Sequence, residues 1–144
     1  MSYLSIWVHS VWTTKNRIPF LKGDVLELVV NHIRENARTK GIFLDHINGY
    51  DEHLHALISM GGSQNISDIM QLIKGESSFW INKNKLTSQK FEWQDDFYSV
   101  SVGQSQLQNL RTYIRSQVYH HRSETFKKEL DKMIKEYNLQ QNLG

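Results

Sequence analysis

Two histidines separated by one leucine, His53 and His55 in "YDEHLHALISM" (50–60), are the first residues in this sequence whose types and spacing could do chemistry. Side chains alternate across a β-strand, so residues two apart leave the same face. His53 and His55 would therefore aim at one spot with Leu57 beside them, while Leu54, Ala56, Ile58 and Met60 line the opposite, core-facing side. Two imidazoles on one strand face suit a metal ion, but they need a third ligand before the pair means more than chance. Sixty residues on, "YIRSQ" supplies a second set. Tyr113 and Gln117 stand four apart, one helical turn from each other, so a phenol and a carboxamide project side by side. A half-buried tyrosine on an amphipathic helix would leave the same spacing.

The elements that must position these side chains can be traced from periodicity. Residues 3–13 alternate Leu4, Ile6, Val8 against Trp7, His9, Val11, which predicts a strand. Asp24 with Glu27 makes a capping signal, and Val25, Leu28, Val29, Ile33 and Ala37 follow at helical spacing until Gly41. Strands are expected near 42–50 and 53–60, joined as a hairpin turning over Gly49 to Glu52. "GGSQNIS" breaks the pattern, and Ile66, Ile69, Ile73 and Trp80 outline a second helix despite Gly75. "FYSVSVG" (97–103) is a fourth strand; Leu107, Leu110, Ile114 and Val118 mark a third helix, and 124–137 a polar fourth. The order β-α-β-β-α-β is the ferredoxin-like α+β pattern: one antiparallel sheet with helices on one face and the other face free to bind.

The composition bounds what such a domain can do. A chain of 144 residues is one domain with room for a sizeable core; the single proline, Pro19, and the scarcity of glycine leave no linker. A formal charge of +2 permits nucleic acid as a partner without requiring it. There is no cysteine, which excludes disulfides, thiolate metal sites and cysteine nucleophiles and fits a reducing compartment. "MSYLSIWVHSVW" reads as a first strand, not a signal peptide, and no run approaches a membrane span, so a soluble, cytoplasmic protein is expected.

Taken together, His-hydrophobic-His on a strand followed by Tyr-x-x-x-Gln on a helix resembles the HUH-superfamily single-tyrosine transposases of small bacterial insertion sequences, the 200/605 family. The resemblance covers nearly the whole chain: "HSVWTTKNR" (9–17) is similar to the family's first strand and basic turn, "IMQLIKGESS" (69–78) to its second helix, "FEWQDDFYSVSVG" (91–103) to its fourth strand, and "YIRSQVYHHRSETFKKEL" (113–130) to its catalytic helix. It implies one transposase domain over 1–144, with a core over 1–103 and the catalytic helix and tail over 104–144. It also implies Tyr113 as nucleophile and His53, His55 and Gln117 as ligands of a divalent cation, Mg2+ or Mn2+. The reaction implied is attack of the tyrosine oxygen on a single-stranded DNA phosphodiester beside a hairpin at an element end, giving a 5′-phosphotyrosine and a free 3′-hydroxyl. The further implication is a homodimer with composite sites, His53 and His55 from one chain and Tyr113 from the other. Lys15, Arg17, Lys74, Lys83, Lys85, Arg111 and Arg115 would then track phosphates, with Trp12 or Trp93 stacking on an unpaired base.

Other readings are weaker. His120 and His121 are adjacent and point apart on a helix, so they read as surface contacts; His9, brought near His53 by strand pairing, reads as a structural histidine. Tyr137 has Gln141 four residues on, but near the chain end and beyond the family's motif. A histidine-triad hydrolase needs a histidine where Leu57 stands, and a two-histidine phosphoesterase needs a hydroxyl residue two after each histidine. The remaining alternative is a domesticated relative that binds nucleic-acid hairpins without cutting, for which the full set of His53, His55, Tyr113 and Gln117 has no use.

Overall fold

The alternating segments pair as the period-2 pattern requires. In the computed structural model, which describes residues 2–121, 124–137 and 139, strand β1 (Trp7–Thr13) is followed by helix α1 (Asp24–Thr39), strands β2 (Phe43–Tyr50) and β3 (His53–Ser59), helix α2 (Ile66–Lys83) and strand β4 (Tyr98–Val102). Helices α3 (Leu107–Arg115), α4 (Gln117–His120) and α5 (Phe126–Tyr137) complete the chain. The four strands form one antiparallel sheet in the order β2-β3-β1-β4, the ferredoxin-like arrangement. The central pair is therefore β3, which carries the two histidines, and β1.

Helix α1 begins at Asp24, but the expected Asp24 cap is not made. Gly23 holds the cap position at φ 59°, a left-handed conformation open to glycine, and Asp24 and Glu27 lie inside the first turn, where their charges suit the helix dipole. Helix α2 is capped by Asn65, whose side chain accepts from Asp68 N at 2.8 Å. Leu54, Ala56 and Ile58 of β3 and Trp12 of β1 pack against Val29, Val30, Ile33 and Ala37 of α1 and Ile69, Met70, Ile73 and Ile81 of α2 in the main apolar core.

The opposite face is not free. Helices α3 to α5 lie over it, forming two small apolar clusters: Leu57 with Leu107 and Ile114, and Val11 with Phe126, Leu130 and Met133. The hairpin turn is also tighter than expected. Tyr50 pairs with His53, leaving Asp51 and Glu52 as the turn, and Gly49 lies within β2. A Cβ on Gly49 would stand 2.1 Å from the His53 carbonyl oxygen, so only glycine lets β2 run this close to the histidine strand.

Candidate metal and tyrosine site

β3 delivers His53 and His55 to the face covered by α3 to α5, as their spacing requires, and both are fully buried. Their Nε2 atoms converge on a residue that the sequence reading passed over. Glu129 of α5 places Oε1 3.0 Å from His55 Nε2 and 3.3 Å from His53 Nε2. Its other oxygen, Oε2, accepts hydrogen bonds from the Tyr113 hydroxyl and, at 3.2 Å, from Gln117 Nε2. Gln117 Oε1 closes the ring at 3.1 Å from His53 Nε2. All four residues singled out by the sequence thus meet, around a carboxylate that joins them.

The helix expected to carry Tyr113 and Gln117 together is interrupted at Ser116. Its N–H is shared between the Thr112 and Tyr113 carbonyls and its hydroxyl bonds the Thr112 carbonyl, so α3 ends there and α4 starts with Gln117. Both side chains still reach Glu129.

Two more histidines belong to the cluster. His121 Nε2 lies 3.2 Å from Glu129 Oε1, and its ring sits 4.7 Å from that of His53, so the surface role expected for it is not the one it has; His120's side chain lies outside the described residues. His9 is placed beside His55, not His53: β1 pairs Val11 with His55, and His9 Nε2 lies 2.9 Å from His55 Nδ1. Glu129 was legible in one respect. Phe126, Leu130 and Met133 form the apolar stripe of α5, and Glu129 falls on that stripe as its lone acid.

The electrostatics follow from this crowding. Burial, the largest influence, and its neighbour His55 push His9 down to about 3. Burial likewise carries His55 down to about 4, against the pull of Glu129. For His53 burial acts downward, but hydrogen bonds to Glu129 and Glu52 outweigh it and raise the imidazole. Burial acts upward on Glu129, yet the hydrogen bonds from His121, His53 and His55 hold its carboxyl far below the ordinary carboxylate range. Burial and the Glu129 contact raise the Tyr113 phenol, keeping it protonated.

His53, His55 and Glu129 form a group that could hold a metal ion. The donor set fits: neighbouring ligands around an ion with bonds of about 2.1 Å stand about 3 Å apart, the separation found among these nitrogen and oxygen atoms.

The nucleic-acid contacts expected on the surface fare unevenly. Trp12 cannot stack on a base, because it is wholly buried in the main core, and Trp93 is buried there too with its indole N–H on Ser77 Oγ at 2.9 Å. Lys74 Nζ is turned onto the carbonyls of Gln94, Asp95 and Asp96. Arg111 is bound through Nε to Asp45 at 2.9 Å, tying α3 to β2, and Arg115 lies 3.2 Å from His46 Nε2. Lys15 and Arg17 are exposed at the end of β1, Lys15 paired with Glu92 and Arg17 over the Phe126 ring; Lys83 and Lys85 are exposed at the end of α2. Gln141, named beside Tyr137, lies outside the described residues.

Tyr113 packs edge-on against His55 of its own chain, ring centroids 5.6 Å apart. A cleft of about 480 Å³ between α3 and α5 opens beside it, with His9, Asn109, Tyr113, Glu129 and Tyr137 in its walls.

This four-stranded sheet with its helices is that of a known class of proteins. The family described as Transposase IS200 like matches residues 2–117, and the chain belongs to it. It is similar to the ISDra2 transposase TnpA of Deinococcus radiodurans, 25% identical over 115 residues that make up 76% of this chain and 81% of the relative. Its fold matches a crystal structure of a transposase-like protein from Deinococcus radiodurans R1, with a TM-score of 0.65, 20% identity and coverage of 81% of this chain and 95% of that one. It also matches a REP-associated tyrosine transposase bound to a REP hairpin, with a TM-score of 0.61, 17% identity and coverage of 84% and 72%. Among the described residues, no helix is long and apolar enough to cross a membrane.

Proposed function

We propose that this transposase cleaves and rejoins single-stranded DNA at hairpin-flanked element ends, in the cytoplasm, with Tyr113 as nucleophile and a divalent cation, Mg2+ or Mn2+, held by His53, His55 and Glu129 with Gln117 beside them. One observation carries the reading. The Tyr113 hydroxyl and the two histidine Nε2 atoms contact opposite oxygens of a single carboxylate, a closeness that supports these roles.

A bound cation would supply charge neutralisation at the scissile phosphate. The protein's own residues do the rest. Glu129 Oε2 accepts the phenolic proton's hydrogen bond and turns the oxygen toward the cluster, and Gln117 holds the same carboxylate oxygen from the other side. As the Tyr113 oxygen bonds to phosphorus its proton passes to Glu129 Oε2, the bond from phosphorus to the 3′-oxygen breaks, and that oxygen takes up a proton. The ester is kept in the 5′-phosphotyrosine, so a second 3′-hydroxyl can reverse the step and join new ends without ATP. An extruded or unpaired strand is the substrate this geometry suits, since sequence is read most readily from unstacked bases. Of the basic residues expected to track its phosphates, Lys15, Arg17, Lys83, Lys85 and Arg115 are exposed.

Two ends must be cut, so we propose a homodimer, in which the Tyr113 helix serves either the histidines of its partner, in composite sites, or those of its own chain. The test is a gel assay with Mn2+ and hairpin-bearing single-stranded DNA. Wild type forms a covalent adduct, and Tyr113→Phe forms none while still binding DNA; full cleavage by Tyr113→Phe defeats the assignment. Mixing His53→Ala with Tyr113→Phe separates the two dimer forms: recovered cleavage means composite sites, continued inactivity despite subunit exchange means sites made in one chain. The complete burial of His53, His55 and Gln117 favours one rival, a hairpin binder that does not cut, and hairpin binding without any adduct would establish it.

A further inference from the structure

The two histidines that face Glu129 through Nε2 also have something fixed behind them. His53 Nδ1 lies 2.7 Å from Glu52 Oε1, and His55 Nδ1 lies 2.9 Å from His9 Nε2. We infer that Glu52 and His9 are positioning residues for the cation ligands, each accepting the Nδ1–H of one imidazole when its Nε2 lone pair is given to a bound cation. This deepens the metal-dependent reading and rests on it.

Hydrogen-bond logic dictates the direction of the first contact, and ligation dictates that of the second. A carboxylate only accepts, so His53 Nδ1 must be the donor to Glu52. With no cation bound, His55 Nε2 donates to the Glu129 carboxylate at 3.0 Å; once Nε2 ligates a cation its proton must sit on Nδ1, so in that state His55 donates and His9 Nε2 accepts. Neither ring can turn away to another partner. His9 and His55 stack with centroids 5.1 Å apart and planes 21° apart, and both are buried. His53 is held against the Phe126 ring at 4.2 Å.

The two acceptors have a common origin in β1. His9 is in the strand itself, and Glu52 is fixed from the strand's end, where Thr14 N bonds the Glu52 carbonyl at 2.9 Å and Leu21 N bonds that of Asp51 at 2.8 Å. Strand β1 thus carries one acceptor and runs up to the turn that carries the other, while contributing no ligand of its own. The acceptors also differ in kind. Glu52 brings a negative charge that makes His53 the stronger donor, whereas His9 offers a ring nitrogen and a stacking surface.

The experiment is Mn2+ titration calorimetry on the full chain without DNA, paired with 15N histidine NMR, which reports the protonated ring nitrogen. Glu52→Ala and His9→Phe, the latter keeping a flat ring but no acceptor, should each weaken Mn2+ binding by roughly 10- to 100-fold. They should also disturb the Nδ1–H signature of His53 and His55 respectively. Glu52→Gln and His9→Gln restore an acceptor and should recover most of the affinity. Wild-type affinity and unchanged tautomers in both Glu52→Ala and His9→Phe would overturn the inference while leaving the transposase reading standing if wild type still forms its adduct. Mn2+ binding that responds to these variants without any DNA cleavage would do the reverse. Failure of wild type to bind Mn2+ at all would overturn the inference together with the metal-dependent reading.

Discussion

The two faces of the sheet are built from alternate residues of the same strands, and they are packed on opposite principles. Toward α1 and α2, Trp12, Leu54, Ala56 and Ile58 meet a continuous apolar layer. Toward α3 to α5, His9, His53 and His55 meet a carboxylate, a phenol and a carboxamide, with apolar contacts confined to two small clusters. The first face gains free energy from area removed from water. The second puts five or more polar groups out of water, which is tolerable only because each finds partners. A strand with period 2 can serve both tasks at once, stability on one side and chemistry on the other.

The sharpest way to break this contrast is Leu54→Ala. It empties a fully buried site in the main core and should cost about 2–5 kcal/mol, a fall in Tm of roughly 10 °C, with Mn2+ affinity of the still-folded protein unchanged. Thermal melts and calorimetry at low temperature check both halves; lost Mn2+ binding would show that the faces are not separable. The next effect comes from the other side. Mn2+ at about a hundred times its Kd should stabilise the protein by about 2.7 kcal/mol, reversed by a chelator and absent in His55→Ala. Differential scanning calorimetry would register it, and an equal shift in His55→Ala would place the binding elsewhere.

The smallest effect concerns the clasp that holds α3 to β2. Burial alone would raise the Asp45 carboxyl, but hydrogen bonds from Arg111 and His46 outweigh it and leave it below its ordinary 3.8. Its stabilising contribution is therefore present above about pH 4 and lost as pH falls through the lowered value. Asp45→Asn should cost under about 1 kcal/mol near neutrality, the pair being partly exposed. Urea unfolding at pH 7 and pH 3 would show the difference between wild type and variant shrinking in acid. A difference that persists at pH 3 would mean the charge is not what matters.

Much of the fold was written in local pattern. The His53-x-His55 alternation put both imidazoles on one face, and the strand and helix order gave the sheet its topology. The helices over the second face were legible as helices but not as a cover, because covering is a long-range packing choice that periodicity does not encode. Trp12 shows the same limit: an aromatic next to a basic turn looks like a stacking platform until strand register turns it inward. Glu129 was hidden differently. In a helix with this many charges one acid among apolar residues reads as noise, and only the geometry of α5 against β3 gives it three histidine neighbours.

That cover has a consequence for how the protein responds to heat. Four residues of α5 are buried, Phe126 and Glu129 directly on the histidines, so a phosphodiester that reaches the tyrosine through the cleft meets the histidines only after some of these contacts part. On the proposed chemistry, the observed cutting rate is the product of the chemical step and the fraction of molecules in which α5 stands aside. Its temperature dependence then carries the enthalpy of undoing that packing as well as that of breaking a phosphate ester, and an Arrhenius slope would overstate the chemical barrier.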